Sequence, residues 1–434
     1  MTVSSEAVFG TPRGTRDLLP AEVSLRRSVE ARVRAAFARF GYREVVTPVF
    51  ERAAVLAQGA TPAQRQQTFQ FFSPEGEVLA LRSDLTTPIA RLVAQRLGGE
   101  PRPLRLAYVA DVFRWAEPGG GRRRQFAQAG VELVGAAGPA ADAEVVLVAV
   151  RALEEAGVSD FRIDLGQVSF FSALLSESGL GPQDQEIVHE AFLTKDWVGL
   201  DATLRQACPD AARRRAIMAL TELRGGREAL DRGRAIAAQV GNGRAGRALA
   251  DLETVLGLLE DFGVAGRVRV DLGLVKDLSY YTGMVLEGYV PHLGYTLCTG
   301  GRYDGLYAQF GRAEAATGFA LGLERVTEAL ARETPAAGGP RRQPLLLVAA
   351  PGRRAEGLHL AELLTGGGFA VEWEVCGRSP EEAAGEAAGG SRPVLELLPG
   401  AGTRLRRGTG DVRLLSGDGG PGALAEAIRK ELER

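Results

Sequence analysis

The chain has 434 residues, too many for one compact core, so two or three domains are expected. Apolar residues make up 45% and charged residues 24%, and Lys+Arg 52 against Asp+Glu 54 leaves a net charge of −2. That balance excludes a strongly basic chain built to coat nucleic acid, though not a local basic groove.

No run of 18 apolar residues occurs, and Met1 leads into a polar stretch. Neither a membrane span nor a secretory signal is expected, and the chain reads as cytoplasmic. Cys208, Cys298 and Cys376 are odd in number and widely spaced, and none of His189, His292 and His359 stands at i, i+4 from another. A disulfide framework, a metal centre and a bound cofactor are all unexpected with so few ligands. Arginine outnumbers lysine 49 to 3, so a single arginine carries little information and a lysine inside a motif carries more.

In chain order, apolar residues at helical spacing run from Leu25 through Val29, Val33, Phe37 and Phe40, and Gly41 can end that helix in a left-handed conformation. Tyr42–Glu51 reads as a strand that Pro48 confines to an edge or an interface. Further strands are expected at Glu77–Arg82, Arg105–Trp115 and Arg124–Val134, and a helix at 140–157 closed by Gly157. Residues 165–266 change character and read as a helical insertion, with a turn at Gly179–Pro182. Strand patterns return at Arg267–Leu274, Tyr280–Val290 and Gly294–Gly300, followed by a helix at Leu323–Arg332.

Residues 333–344 have linker composition. Beyond them short apolar strands at Leu345–Ala349, Ala370–Val375 and Val394–Leu398 alternate with helical stretches near Gly357–Leu364 and Pro380–Ala388, which suggests an α/β domain over 345–434. The expected class is α+β: an antiparallel body over 1–332 carrying the insertion, then the linker and the C-terminal α/β domain.

Four stretches could carry chemistry. Leu81–Thr87 (LRSDLTT) offers a carboxylate and two hydroxyls at a strand end, although alone it reads as a helix start with Asp84 as N-cap. Val112–Arg114 and Gly121–Glu132 flank an Arg-rich loop. There a guanidinium could grip a phosphate or carboxylate, and Gln128 and Glu132 share one strand face. Asp271–Gly283 contains the adjacent pair Tyr280 and Tyr281, which must point to opposite faces if extended. Gly300–Leu306 and Gly318–Arg325 are glycine-rich and permit close backbone approach.

Each is weak singly, and their order is not. GTRDLLP from Gly14, TPVFE, LRSDLT, VFR…GRRRQFAQAGVE, YYTG, GGRYDGL and GFALGLER in succession resemble the histidyl-tRNA synthetase family of class II synthetases, over nearly the whole chain. The resemblance implies a class II antiparallel sheet with flanking helices and a C-terminal domain like an anticodon-binding domain. It admits two kinds of member: the synthetase itself, and its catalytically inactive paralogue, the regulatory subunit of ATP phosphoribosyltransferase.

Position by position, the resemblance implies a histidine pocket of Asp84, Thr86, Gln128, Glu132, Tyr280, Tyr281 and Arg302, with Tyr303 beside it. Asp84 stands where the synthetase has a glutamate. The ATP site departs further. Motif two, Phe-Arg-His-Glu-Arg-Pro in the synthetases, is here Phe113 to Pro118 with Ala116 and Glu117 replacing a carboxylate and a cation. Lys276 stands for the arginine of Arg-Gly-Leu-Asp-Tyr-Tyr, a substitution that is not conservative at a bidentate site. Arg114 and Arg325 remain, so Arg114, Lys276 and Arg325 are read as vestigial ATP-site positions with no catalytic residue among them. From Gln343 onward 11 Lys+Arg face 13 Asp+Glu, an acidic balance that argues against a tRNA partner.

The resemblance therefore implies a non-catalytic regulatory subunit that binds histidine, dimerises through 25–51 and assembles with a short catalytic ATP phosphoribosyltransferase subunit into a hetero-octamer. The alternative is an active histidyl-tRNA synthetase.

Overall fold

In the computed structural model the described residues are 9–116, 123–240, 243–276, 281–291, 293–333, 344–379, 382–383, 392–400, 402–407, 411–415 and 420–433. The chain divides into two compact units, Met1–Pro335 and Ala336–Arg434. Among the described residues no helix is long and apolar enough to cross a membrane.

The first unit opens with helix α1 (Pro20–Arg39), which starts with proline at its first turn and a Glu22 carboxylate accepting the Leu19 N–H at 3.0 Å. Its buried stripe is Val29, Val33, Ala36 and Phe37. The segment that follows is not the single strand its apolar pattern suggests. Only β1 (Arg43–Glu44) and β2 (Phe50–Arg52) are extended ladders, and they belong to different sheets. Pro48 has no N–H to donate, and the Thr47, Pro48 and Val49 carbonyls turn inward to Arg82. β2 joins β3 (Gln70–Phe72) and β4 (Val78–Leu81) in a small antiparallel sheet, from which helix α2 (Thr86–Arg96) departs.

The main sheet has nine strands in the order β1-β5-β6-β12-β11-β10-β7-β9-β8. β5 (Leu104–Phe113), β6 (Gln125–Val134), β12 (Ala316–Gly322), β11 (Thr296–Arg302), β10 (Met284–Tyr289) and β7 (Arg162–Gln167) form its antiparallel centre. β9 (Val268–Asp271) lies parallel to β7, and β1 parallel to β5. The sheet is thus the antiparallel-centred body of the expected α+β class.

Two of these strands escape sequence patterning. β12 reads ATGFALG, where glycine and alanine carry little strand propensity. β7 is taken at its end into the apparent insertion, whose helices actually run from Val168 to Asp261 and include the two-residue strand β8 (Arg224–Gly225).

One face of the sheet packs against α1 and the almost wholly buried helix α3 (Pro139–Ala156), which Gly157 ends at φ +100°. Ala127, Ala129, Val131 and Leu133 point to that side. The other face carries a smaller core of Leu85, Ile89, Val93, Leu106, Tyr108, Tyr303 and Tyr307 under α2. Alternation along β6 sends Gln128 and Glu132 to this second face, and there the cavities open.

The second unit is a five-stranded sheet in the order β14-β13-β15-β16-β17. β14 (Val371–Trp373), β13 (Leu345–Ala349) and β15 (Val394–Leu397) are parallel, as strand–helix alternation requires. β16 (Thr403–Arg407) and β17 (Asp411–Leu415) add an antiparallel hairpin that the sequence pattern does not disclose, because arginines alternate with its apolar residues. Most of the expected helical stretch Pro380–Ala388 lies outside the described residues.

Candidate functional site

Two cavities lie on the second face of the main sheet and share Gln67, Arg114 and Thr299. The larger, about 370 Å³, is lined by Arg114, Arg123, Phe126, Gln128, Glu324 and Arg325 among others. The smaller, about 270 Å³, is lined by Ser83, Asp84, Thr87, Lys276 and Tyr281. Both are of the size of a small metabolite.

Beneath them lies Glu132, 1% exposed. Strand register places it opposite Leu106 on β5 and Gly318 on β12. The Thr86 hydroxyl donates to Oε1 at 2.8 Å and the Tyr303 hydroxyl donates to Oε2. Any side chain at 318 would collide with Oε2 and the Val131 carbonyl, so glycine there makes the room for a carboxyl inside the sheet's core. Burial pushes this carboxyl up to about 8, against the lowering effect of its two hydroxyl donors.

Around this floor the expected pocket residues divide. Asp84 has two roles: one residue ahead of the N-cap Leu85 rather than at the cap expected of it, its Oδ1 accepts the Thr87 N–H at 3.0 Å in the first turn, and the residue also lines the smaller cavity. Gln128 is 9% exposed and lines the larger cavity, with its Oε1 buried and without a hydrogen-bond partner among the described residues. An orphaned buried acceptor of this kind invites a donor from a ligand. Tyr281 presents its ring at the smaller cavity, edge-on to Tyr303 at 6.5 Å, which in turn stacks on Tyr307. Burial and the neighbouring Glu132 and Asp84 raise the Tyr281 phenol. Tyr280 lies outside the described residues, as does Glu117. Thr86 reaches the site through Glu132 rather than by lining a cavity.

Arg302 corrects the sequence reading. Its register opposite Thr317 turns it to the α3 face of the sheet, away from Gln128 and Glu132. There its guanidinium pairs with Asp142 and Asp304 and donates to the Ala136 and Gly138 carbonyls at 3.2 and 3.0 Å. All its donor directions point into the protein, so it anchors the start of α3 rather than a ligand carboxylate. Burial lifts Asp142 to about 6 even beside this cation.

The three vestigial positions converge on the cavities. Arg114 lines both, donates from Nε to the Ser83 carbonyl at 2.8 Å, and stands over the Phe126 ring. Arg325 lines the larger and donates to the Thr296 carbonyl at 2.6 Å. Lys276 lines the smaller, where its ammonium is paired with the Glu287 carboxylate. Burial lowers the lysine and Glu287 opposes that shift.

Sequence reading did not single out Glu287, Thr299, Gln67 or Glu324. Only Glu287 had a legible signal: strand alternation places it on the same face as Val285, and Lys276 needs a counter-ion once buried. The GTRDLLP segment is tied in from outside: Gly14, at φ +86°, presses on the Arg124 side chain and its carbonyl accepts the Arg124 N–H.

Comparison with known proteins follows this geometry. A family model described as histidyl-tRNA synthetase matches residues 14–326. A curated Moorella thermoacetica protein named ATP phosphoribosyltransferase regulatory subunit is 44% identical over 388 residues, covering 89% of this chain and 97% of its own. A Symbiobacterium thermophilum protein of the same name is 43% identical, covering 87% and 93%. Among solved structures, a Bacillus halodurans protein described as an ATP phosphoribosyltransferase regulatory subunit/histidyl-tRNA synthetase superposes with a TM-score of 0.78 at 31% identity, covering 90% of this chain and 97% of that one. The histidyl-tRNA synthetase of Nostoc sp. PCC 7120 reaches the same TM-score at 22% identity over 98% and 99%, a likeness of fold alone.

Proposed function

We propose, from the premise that this chain belongs to the histidyl-tRNA synthetase family and within it to the ATP phosphoribosyltransferase regulatory subunits, that it makes no bonds itself and binds free histidine. It is required by a short catalytic ATP phosphoribosyltransferase subunit in the first step of histidine biosynthesis, and transmits feedback to it.

One observation carries the ligand reading: a metabolite-sized cavity over the buried Glu132, lined by Gln128 with an acceptor that has no partner among the described residues. Asp84 supplies a carboxylate for an α-ammonium, and Tyr281 an aromatic wall with a polar tip.

Against adenylation stand Ala116 and Lys276. Lys276 already has Glu287 as its counter-ion, so it offers a triphosphate a neutralised pair in place of a free guanidinium fork. The acidic balance of the C-terminal unit argues against tRNA as a partner.

Self-association through 25–51 is supported by the exposed Val46, Val49 and Phe50 at the edge of the small sheet. A hetero-octamer of two such subunit types would let histidine act through quaternary state. Its effect is bounded by the difference in its affinity for the states, typically about 1–3 kcal/mol.

Mixing the purified chain with a short catalytic subunit should produce phosphoribosyltransferase activity that neither shows alone, lowered by histidine. Histidine-dependent ATP–pyrophosphate exchange by the chain alone would overturn the proposal in favour of an active synthetase.

A further inference from the structure

Arg82, at the end of β4, is 5% exposed, and among the described residues its guanidinium bonds only to uncharged main-chain acceptors. Nε donates to the Asp111 carbonyl at 2.8 Å, and Nη1 donates to the carbonyls of Thr47 at 2.7 Å and Pro48 at 3.2 Å. Its own main chain closes the knot: the Arg82 N–H donates to the Val49 carbonyl at 3.0 Å, and the Phe113 N–H donates to the Arg82 carbonyl at 2.9 Å. Burial holds this guanidinium below the ordinary arginine range. An apolar side chain would fill the same space without the desolvation that a buried cation suffers. Beside these main-chain bonds, the cation ties the Thr47 and Pro48 carbonyls to the Asp111 carbonyl, which no strand ladder pairs with each other.

The joined segments lead to different places. Thr47–Val49 lies between Val46, which is 84% exposed, and the exposed Phe50. Asp111–Phe113 leads into Arg114, and Arg82 itself into Ser83 and Asp84. Those three residues line the smaller cavity, closed on themselves by the bond from Arg114 Nε to the Ser83 carbonyl. Arg82 lines neither cavity and does not belong to the exposed strip.

We infer that Arg82 is the positioning residue that couples the ligand cavity to the exposed Val46–Phe50 strip, so that occupancy of one sets the geometry of the other. The inference rests on the histidine-binding and self-association reading above and assigns its route.

A double-mutant cycle read by histidine calorimetry tests it, on the full-length chain and with sedimentation as the check on association. Val46→Asp places a charge on the strip, at a residue that lines neither cavity, and should weaken self-association. In the Arg82 background it should also weaken histidine binding about tenfold, within the usual range of allosteric coupling. In the Arg82→Met background the same change should alter histidine affinity less than about twofold, the mark of a severed connection. If Arg82→Met does not fold, Arg82→Lys keeps the cation and loses the planar fork that reaches three carbonyls.

An equal effect of Val46→Asp in both backgrounds overturns the inference, as does no effect in the Arg82 background while histidine still binds. A Val46→Asp protein that associates normally removes the strip as an interface and the inference with it. Absence of histidine binding by the unmutated chain is a different result: it overturns the functional reading itself, and the coupling falls with it.

Discussion

Glu132→Gln isolates the ionisation of the buried floor while keeping its size. The carboxyl sits between the Thr86 and Tyr303 hydroxyls, either of which can turn to accept from an amide N–H. Burial raises the carboxyl from 4.5 to about 8. With the folded value above the unfolded one, the folded chain keeps a proton through this window that the unfolded chain has released. Its stabilising contribution is therefore complete below about pH 4.5, declines as pH rises toward 8, and changes no further above that. Each pH unit is worth about 1.4 kcal/mol, so the window has a ceiling on the order of 5 kcal/mol. Relaxation around the charge will lower that figure.

Urea unfolding of the wild type and the variant at pH 5, 6, 7 and 8 gives the difference directly. Asp142, the other raised carboxyl described above, is present in both proteins and cancels. The stability of Glu132→Gln relative to wild type should grow by roughly 2–4 kcal/mol between pH 5 and pH 8. A difference that stays constant across this range would show that Glu132 does not carry a proton in the folded state, and the description of the cavity floor would be wrong.

Tyr303→Phe removes a donor that favours the charged form of Glu132, so it should destabilise by about 1–3 kcal/mol at pH 8 and by less at pH 5; equal losses at the two pH values would contradict this. Gly318→Ala drives a methyl into Glu132 Oε2 and the Val131 carbonyl and should lower stability by about 1–3 kcal/mol, seen as a drop in Tm. Asp84→Asn keeps an acceptor for the Thr87 N–H and removes the charge facing the cavity. Histidine affinity by calorimetry should fall about 10–100-fold while stability changes by less than about 1 kcal/mol. Arg302→Lys should lose about 2–4 kcal/mol in denaturant unfolding and leave histidine affinity unchanged, because its partners are Asp142, Asp304 and two carbonyls; a weakened histidine affinity would return Arg302 to the pocket.

The sequence by itself determined the order of motifs, the helix at 140–157 with its glycine stop, the strand that leads into Arg114 and the strand that bears Gln128 and Glu132. These rest on local periodicity and on residue types, and both are fixed before any packing occurs. Motif order also sufficed to identify the family.

Tertiary structure decided the rest, for reasons that local patterns do not contain. The resemblance implies both Arg302 and Gln128 for the pocket, yet the registers of β11 and of β6 against β12 send the first to α3 and the second to the cavity. β12 has no strand signature of its own and forms because β6 and β11 supply its partners. Pro48 and its neighbours break an otherwise strand-like run because a buried arginine from β4 takes their carbonyls. The proton on Glu132 depends on how completely the sheet, Thr86 and Tyr303 exclude water around it. Each of these outcomes depends on residues distant in the chain arriving at one place, which is why side-chain identity could nominate the site and only long-range packing could say which nominees face it.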